Sequence, residues 1–389
     1  MTLLPNTFIK SRWFKALEKL EIGTLHFTSP EGMTHIYHGH RPGPEAFFIV
    51  HDWRVLRRMI ARGDIGLGED YIAGNWTTPN IEQLFALFLL NMDYLHQFAH
   101  GNLLNRLVFR IYNAVLRRNS RQGSKSNIKA HYDVGNDFYR LWLDETMTYS
   151  SGLFGEWSNL AQAQRAKYDR ILDKIETPNA SILEIGCGWG GFAEQAAARG
   201  HRVTGLTVSP AQFAFARDRL KDKADIRLED YRDVQGTFDA IVSIEMFEAV
   251  GERYWPAYFN TVRDRLKPGG KAVIQTITIR DDFFEDYRIG SDFIRHYVFP
   301  GGMLPSVAVF KQEAERAGLQ CRDVFPFGHD YARTLREWLT RFDAHRETII
   351  GMGHNEAFLR NWRFYLSICA AAFAIGRTDV VQVELTHAA

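Results

Sequence analysis

The chain has 389 residues, too many for one ordinary domain, so two or three folding units are expected. Its 47 Lys and Arg against 46 Asp and Glu leave no global field to recruit nucleic acid, and any anionic partner must be met by a local patch. Three cysteines, Cys187, Cys321 and Cys369, are odd in number, far apart and free of C-x-x-C pairing. This argues against a disulfide framework or a metal site and suits a reducing cytoplasm.

In chain order, short alternating runs at Thr34 to Tyr37 and Phe47 to Val50 predict strands. Turn signals stand at Pro30-Glu31-Gly32 and Arg41-Pro42-Gly43-Pro44. Helical spacing follows in Asp52 to Arg62 and in Ile81 to Leu95. Together these predict a small α+β domain over residues 1–100.

From Leu103 to Leu116 apolar residues recur on a helical face, with Arg106, Arg110, Arg117 and Arg118 at other positions. The stretch Tyr94 to Tyr132 carries seven Lys and Arg, the three others being Arg121, Lys125 and Lys129, and no acid. The polar tail Asn119 to Ser126 has linker composition, so residues 101–127 read as a basic amphipathic helix and tether. A solvated helix and a membrane-surface helix both fit; at an anionic bilayer each Lys or Arg is worth about 1 kcal/mol. Met1 to Lys15 lacks the apolar stretch of a signal peptide, and the longest apolar run, Ile368 to Ile375, falls well short of the ~20 residues that cross a bilayer. Contact with lipid is therefore expected from the surface, on the cytoplasmic face of the membrane.

Beyond residue 150 strands alternate with helices: Ser181 to Ile185, His201 to Leu206, Asp225 to Leu228, Phe238 to Ser243 and Lys271 to Thr276. This predicts a doubly wound, mostly parallel α/β sheet over residues 128–389, a Rossmann-like second domain beside the smaller first one. Gly186, Gly188 and Gly191 satisfy G-x-G-x-x-G after the first of these strands. A dinucleotide site needs an acid after the second strand, and the chain there reads Thr207-Val208-Ser209-Pro210-Ala211-Gln212. Glu184 before the glycines, Asp230 after the third strand and the Leu266 to Gly270 turn fit the class I methyltransferase pattern instead, with S-adenosylmethionine as cofactor. Glu184 is expected beside the cofactor's ammonium group, and Asp230, Tyr231 or Arg232 beside its adenine. Cys187 within the turn reads as a small residue tolerated in a tight bend.

With these pieces placed, the chain resembles the cyclopropane fatty acid synthase family, which includes the mycolic acid methyltransferases, from residue 128 to the C-terminus. The motifs are His131 to Phe138, Met147-Thr148-Tyr149-Ser150, Glu184 to Gly191, Met246 to Gly251, Phe299 to Gly302 with Leu304-Pro305-Ser306, and Cys369 in its alanine-rich helix. Gly63 to Tyr71 is similar to the phospholipid-acting members, which carry an extra N-terminal domain. The resemblance implies one-carbon transfer to the double bond of an unsaturated acyl chain in a membrane phospholipid, a peripheral membrane contact and homodimers. It also implies cofactor contacts by Tyr149, Ser150, the turn with Gly186, Gly188 and Gly190, the stretch with Thr207, Ser209 and Gln212, and Tyr231 with Arg232. Cys369 stands at the position labelled catalytic, although its apolar neighbours predict a buried neutral thiol.

The chemistry needs water exclusion, aromatic faces for a cation and a base. Tyr132, Phe138, Tyr149, Phe247, Tyr297, Phe299, Tyr331 and Tyr365 lie within or near the motifs, with core packing as the alternative role for each. In the family a bound bicarbonate serves as base, and Glu248, Ile277 and Tyr331 match positions that hold it. Ser151 stands where cysteine is usual and Gln275 where histidine is usual. Glutamine can donate to an anion but takes up no proton. Ring closure to a cyclopropane is the expected outcome, with a methyl-branched unsaturated chain as the alternative if bicarbonate is held weakly or is absent. A methyltransferase for small nucleophiles and a lipid-binding protein without catalysis are the readings from other classes.

Overall fold

The structure, a computed structural model, describes residues 6–99 and 134–388. The expected basic helix and linker, and His131 to Asp133, lie outside the described residues. The chain divides into two compact units: Met1–Val115 with Asp286–Val298 and Arg346–Ile375, and Leu116–Glu285 with Phe299–His345 and Gly376–Ala389.

In the first unit β1 (Ile22–Thr28), β2 (Thr34–His38), β3 (Arg41–Val50) and β4 (Trp76–Thr77) form a sheet in the order β2-β1-β3-β4. Every second side chain of β1 is buried, and Phe27, Phe48, Trp13 and Trp76 make an aromatic core. Arg41 to Pro44, expected as a turn, instead opens β3, where the register against β1 shifts between Ile22 and Thr24. A bulge tolerates proline because the missing N–H leaves no broken pair. The helical stretch expected over Ile81 to Leu95 breaks into Ile81–Leu90 and Met92–Ala99 at Asn91, whose fully buried amide accepts from the Glu21 and Ile22 N–H groups.

Contiguous boundaries at 100 and 127 assign Asp286–Val298 and Arg346–Ile375 to the second domain, whereas they pack with the first unit. The cause is aromatic. Phe364 of helix Glu356–Ala374 meets Phe85 edge-on at 5.2 Å and Phe293 at 4.7 Å.

The second unit is a doubly wound sheet in the order β10-β11-β9-β8-β5-β6-β7. Its parallel strands are β5 (Ser181–Ile185), β6 (Arg202–Thr207), β7 (Asp225–Leu228), β8 (Phe238–Ile244) and β9 (Leu266–Ile279). Their inner residues are near-continuously apolar and buried, as a sheet covered on both faces requires. The antiparallel strands β10 (Leu319–Pro326) and β11 (Thr378–His387) extend one edge and were not anticipated. Strand order reverses between β6 and β8 around β5, and ligands bind at the carboxyl ends of strands at such a switch point.

Candidate active site

Past the end of β5 the chain turns through Gly186, Gly188 and Gly190 at φ of 84°, 52° and 85°. L side chains avoid this region. A Cβ on Gly186 would meet the Met246 side chain at 2.7 Å and one on Gly190 the Leu220 side chain at 2.9 Å, whereas one on Gly188 would enter open space. The backbone at Gly188 is thus open to a ligand. Trp189 in the same turn donates its indole N–H to Asn136 Oδ1 at 2.8 Å, and Asn136 donates its amide to the Ala211 carbonyl at 3.4 Å. Asn136 ties the turn to helix Pro210–Leu220, a role its motif did not disclose. Cys187 is buried among apolar residues, and burial pushes its thiol up.

Glu184 is only 3% exposed, and its Oε2 accepts no hydrogen bond. Burial pushes the carboxyl up to about 8 against the pull of Arg219. A buried acceptor left without a donor costs about 1–3 kcal/mol, so a cationic ligand group would be welcome here. Across the turn, Ser209 caps helix Pro210–Leu220 and Thr207 Oγ1 donates to Gln212 Oε1 at 3.0 Å, fixing the end of β6. Asp230 receives Arg232 in a two-point contact, Nε to Oδ1 at 2.8 Å and Nη2 to Oδ2 at 2.6 Å. The Arg232 guanidinium lies 5.5 Å from the Tyr231 ring centre. This donor set, with a lone buried carboxylate, an open glycine and an aromatic beside a charge pair, fits adenosylmethionine.

Tyr149 and Ser150 lie on a loop braced by Asp144, which accepts the N–H groups of Thr146 and Thr148. Lys167, fully buried, donates Nζ to Ser150 Oγ at 2.5 Å. Burial lowers its ammonium to about 7, while the charges of Glu245 and Asp144 pull it back up.

The residues expected to hold an external base converge on a side chain that sequence reasoning passed over. Glu245 immediately follows β8 with φ of 50°. Its Oε1 accepts the Ser151 N–H at 2.8 Å and the Gln275 amide at 2.8 Å; its Oε2 accepts the Tyr331 hydroxyl at 2.6 Å. Burial raises the Glu245 carboxyl above its usual range, and Lys167 opposes that rise most strongly. Ser151 contributes its backbone, because its hydroxyl donates to the Gly152 carbonyl at 2.9 Å. Gln275 on β9 pairs in register with Gln382 on β11, and its Oε1 accepts the Gln382 amide at 3.0 Å. Arg170 completes the chain with a 3.3 Å bond to Gln382 Oε1. One signal existed: Glu245 is an acid at the carboxyl end of a predicted parallel strand, three residues before Glu248.

Glu248 Oε1 accepts the Ile277 N–H at 2.5 Å and the Thr276 hydroxyl at 3.0 Å, and its Oε2 is buried without a partner. Burial, with the Glu245 charge second, pushes this carboxyl up to about 8. The site therefore holds two carboxylic groups of unlike character with a buried ammonium near one of them.

Residues 119–383 match the family model described as mycolic acid cyclopropane synthetase. The chain belongs to this family. It is 37% identical to the tuberculostearic acid methyltransferase UfaA1 of Mycobacterium tuberculosis, over 88% of this chain and 84% of that protein. It is 36% identical to a cyclopropane-fatty-acyl-phospholipid synthase of Escherichia coli, over 85% of each. Among solved structures, the cyclopropane synthase MmaA2 of Mycobacterium tuberculosis superposes with a TM-score of 0.63 at 30% identity, covering 70% of this chain and 99% of that one. The second unit accordingly has the adenosylmethionine-dependent methyltransferase fold, and the protein is a methyltransferase of the mycolic acid cyclopropane synthetase family.

For a member of this family the arrangement of donors is a poor fit to bicarbonate. Ser151, Gln275 and Tyr331 already serve Glu245, and the Ile277 N–H serves Glu248. A further anion there would meet the Glu245 carboxylate where the donors of Ser151, Gln275 and Tyr331 are already spent, and Glu248 Oε2, when protonated, would be its remaining donor. Cys369 belongs to the first unit, on helix Glu356–Ala374, where burial pushes its thiol far above the usual range. A neutral thiol is a weak nucleophile. Of the aromatics singled out, Phe247 is core, stacked on Trp255 at 5.5 Å and edge-on to Tyr258 at 5.0 Å, and Phe138 packs on Phe342 at 6.2 Å. Tyr297 and Tyr365 lie in the first unit. Tyr149 and Tyr331 share a neighbour, Trp338, at 5.2 and 6.1 Å; spacing along helix Gly328–Ala344 could have shown the Tyr331–Trp338 pair but not the approach of Tyr149.

Proposed function

We propose that this protein methylates the double bond of an unsaturated acyl chain in a membrane phospholipid and releases a methyl-branched, unsaturated chain without closing a ring. The observation that carries this reading is Gln275, whose amide is engaged at both ends, by Glu245 and by Gln382. The position expected to help hold a bicarbonate is occupied by protein-to-protein bonds. The likeness to a protein named as a tuberculostearic acid methyltransferase supports the branched outcome, and the likeness to a phospholipid synthase supports the substrate class.

Adenosylmethionine, when bound, supplies an electrophilic sulfonium methyl. The glycine turn and Glu184 hold it, and the braced loop with Tyr149 and Ser150 orients it toward the site. Tyr149 and Tyr331, both packed on the buried Trp338, are the rings this reading sets beside a cation on the acyl chain. The released chain retains one double bond, so the reaction requires neither oxidant nor reductant. Among the described residues no helix is long and apolar enough to cross a membrane.

Mass spectrometry of phospholipids from cells expressing the protein tests this. The expected acyl chains gain one CH2, take up hydrogen under mild catalytic hydrogenation and then fragment at a methyl branch. A gained CH2 that resists hydrogenation as a ring overturns branching, and unchanged acyl chains with folded protein overturn the enzymatic reading.

A further inference from the structure

We propose that the Glu245 carboxylate is itself the base of this reaction and that the enzyme works without bicarbonate. The proposal rests on the acyl-methylation reading above and names the group that accepts its proton.

Three observations carry it. First, Glu245 sits at φ of 50°, a conformation that costs a non-glycine residue about 1–2 kcal/mol. Such strain persists only where the surroundings hold it, and here they are three donors: the Ser151 N–H, the Gln275 amide and the Tyr331 hydroxyl. Second, those donors come from residues at positions expected to bind an external anion, so the side chain fills the place of that anion. Third, the chain built behind it, Arg170 to Gln382 to Gln275, leaves the Gln275 amide only one orientation, N–H toward Glu245. An amide fixed in that sense serves an acceptor at Glu245.

The charges facing Glu245 suit the role. Lys167, its ammonium lowered to about 7 by burial and held up by Glu245, favours the ionised carboxylate when protonated, while Glu248, pushed up to about 8, is mostly neutral at pH 7. One carboxylate of the two is then available as base, the division of labour seen when environments drive paired acids apart. Oε1 is taken by two donors and Oε2 by one, so Oε2 retains a lone pair for a proton.

The step balances. An alkene carbon of the acyl chain attacks the sulfonium methyl; the new C–C bond forms, the S–C bond breaks, and the neighbouring chain carbon becomes a cation. A 1,2-hydride shift moves the cation to the methyl-bearing carbon, where it is tertiary. Glu245 Oε2 takes a proton from an adjacent carbon, and the electron pair of that C–H bond becomes the new double bond. Three hydrogen bonds pin the carboxylate and offset part of the rise that burial gives it, so it is held in place while the first cation rearranges.

The test uses the full chain with adenosylmethionine and vesicles of phosphatidylethanolamine and phosphatidylglycerol bearing monounsaturated chains, in carbon dioxide-free buffer with and without added bicarbonate. The wild-type rate is expected to be unchanged by bicarbonate. Glu245→Gln and Glu245→Gly are each expected to lose at least about 100-fold, the usual contribution of a positioned base. Glu245→Gly leaves a donor-lined space and relieves the φ strain, so added bicarbonate or formate should restore part of its rate, and Glu245→Gln should not respond. Adenosylhomocysteine binding by calorimetry reports folding of both variants; should neither bind, the wild-type response to bicarbonate decides. A wild type that requires bicarbonate, or a Glu245→Gln variant within about tenfold of wild type, overturns the proposal. The product of the wild type is read separately: a ring made without bicarbonate would remove the branching reading and leave the base assigned to Glu245.

Discussion

Gln275 donates its amide to Glu245 Oε1 at 2.8 Å while accepting the Gln382 amide at 3.0 Å, and it does so from a fully buried position on β9. Both ends of one side chain are thus committed, and the commitment crosses three strands, since Glu245 follows β8 and Gln382 lies on β11. Gln275→Leu takes the 3.0 Å acceptor from the Gln382 amide, leaving it a 3.4 Å bond to the Lys167 carbonyl, and removes a donor from Glu245. Urea unfolding is expected to show a loss of about 1–3 kcal/mol, the cost of unsatisfied buried polar groups. Gln275→Glu keeps the shape but sets a third carboxylic group against Glu245, so its loss should be larger. Equal stability of Gln275→Leu and wild type would show that the chain of amides is incidental.

Tyr331→Phe removes the hydroxyl that donates to Glu245 Oε2 at 2.6 Å. Burial already raises the Glu245 carboxyl, and Tyr331 is among the groups that lower it, so deleting the hydroxyl raises it further. A base works deprotonated, and the rate therefore climbs as pH passes upward through its pKa. The acid limb of the kcat/KM profile is expected to move to higher pH in Tyr331→Phe, with a rate below wild type at pH 7 and a smaller deficit at pH 9. A parallel drop at all pH values would mean that Tyr331 acts by packing against Trp338 alone.

The parallel strands and the glycine turn were legible because short apolar runs and left-handed glycines report local requirements that any covered sheet must meet. Gln275, Ser151 and Tyr331 were legible as members of one site through family motifs. Their mutual target was not. Glu245 is invisible to periodicity, and its role depends on β11, which pairs antiparallel with β9 from the far end of the chain and brings Gln382 beside Gln275. The grouping of Arg346–Ile375 with the first unit was hidden for the same reason: Phe364 meets Phe85 across a separation of nearly three hundred positions. Ser151 shows the limit at atomic scale, since a serine offers a hydroxyl donor and the fold uses its backbone N–H instead.

Glu184 links pH, stability and cofactor. Its carboxyl is raised from 4.5 to about 8 in the folded chain. The folded state consequently binds more protons than the unfolded state between those values, so stability falls as pH rises through the window. Glu184→Gln removes the ionisable group, and the ligand-free variant is expected to be flatter with pH and more stable than wild type at pH 8. Adenosylmethionine should bind it about 10- to 100-fold more weakly, the range for losing a hydrogen bond to a charged group. Calorimetric melting at pH 5 and pH 8, followed by titration with cofactor, measures both. A wild type whose ligand-free stability rises from pH 5 to pH 8 alongside a flat variant would contradict this reading of Glu184.

Gly186 and Gly188 separate folding from binding. Both have positive φ, so alanine at either costs about 1–2 kcal/mol of backbone strain. At Gly186 the new methyl group also meets Met246 at 2.7 Å, whereas at Gly188 it meets no protein atom within 4 Å. Gly186→Ala is therefore expected to lose more stability than Gly188→Ala, by up to about 1–3 kcal/mol of overpacking. The order reverses for the ratio of binding loss to stability loss. Gly188→Ala places its methyl where the cofactor would lie against the backbone, so adenosylhomocysteine affinity should fall by at least about tenfold, or ~1.4 kcal/mol, in a protein that loses only the backbone strain in stability. Unchanged affinity in a folded Gly188→Ala variant would mean that the open side of the turn is not where the cofactor sits.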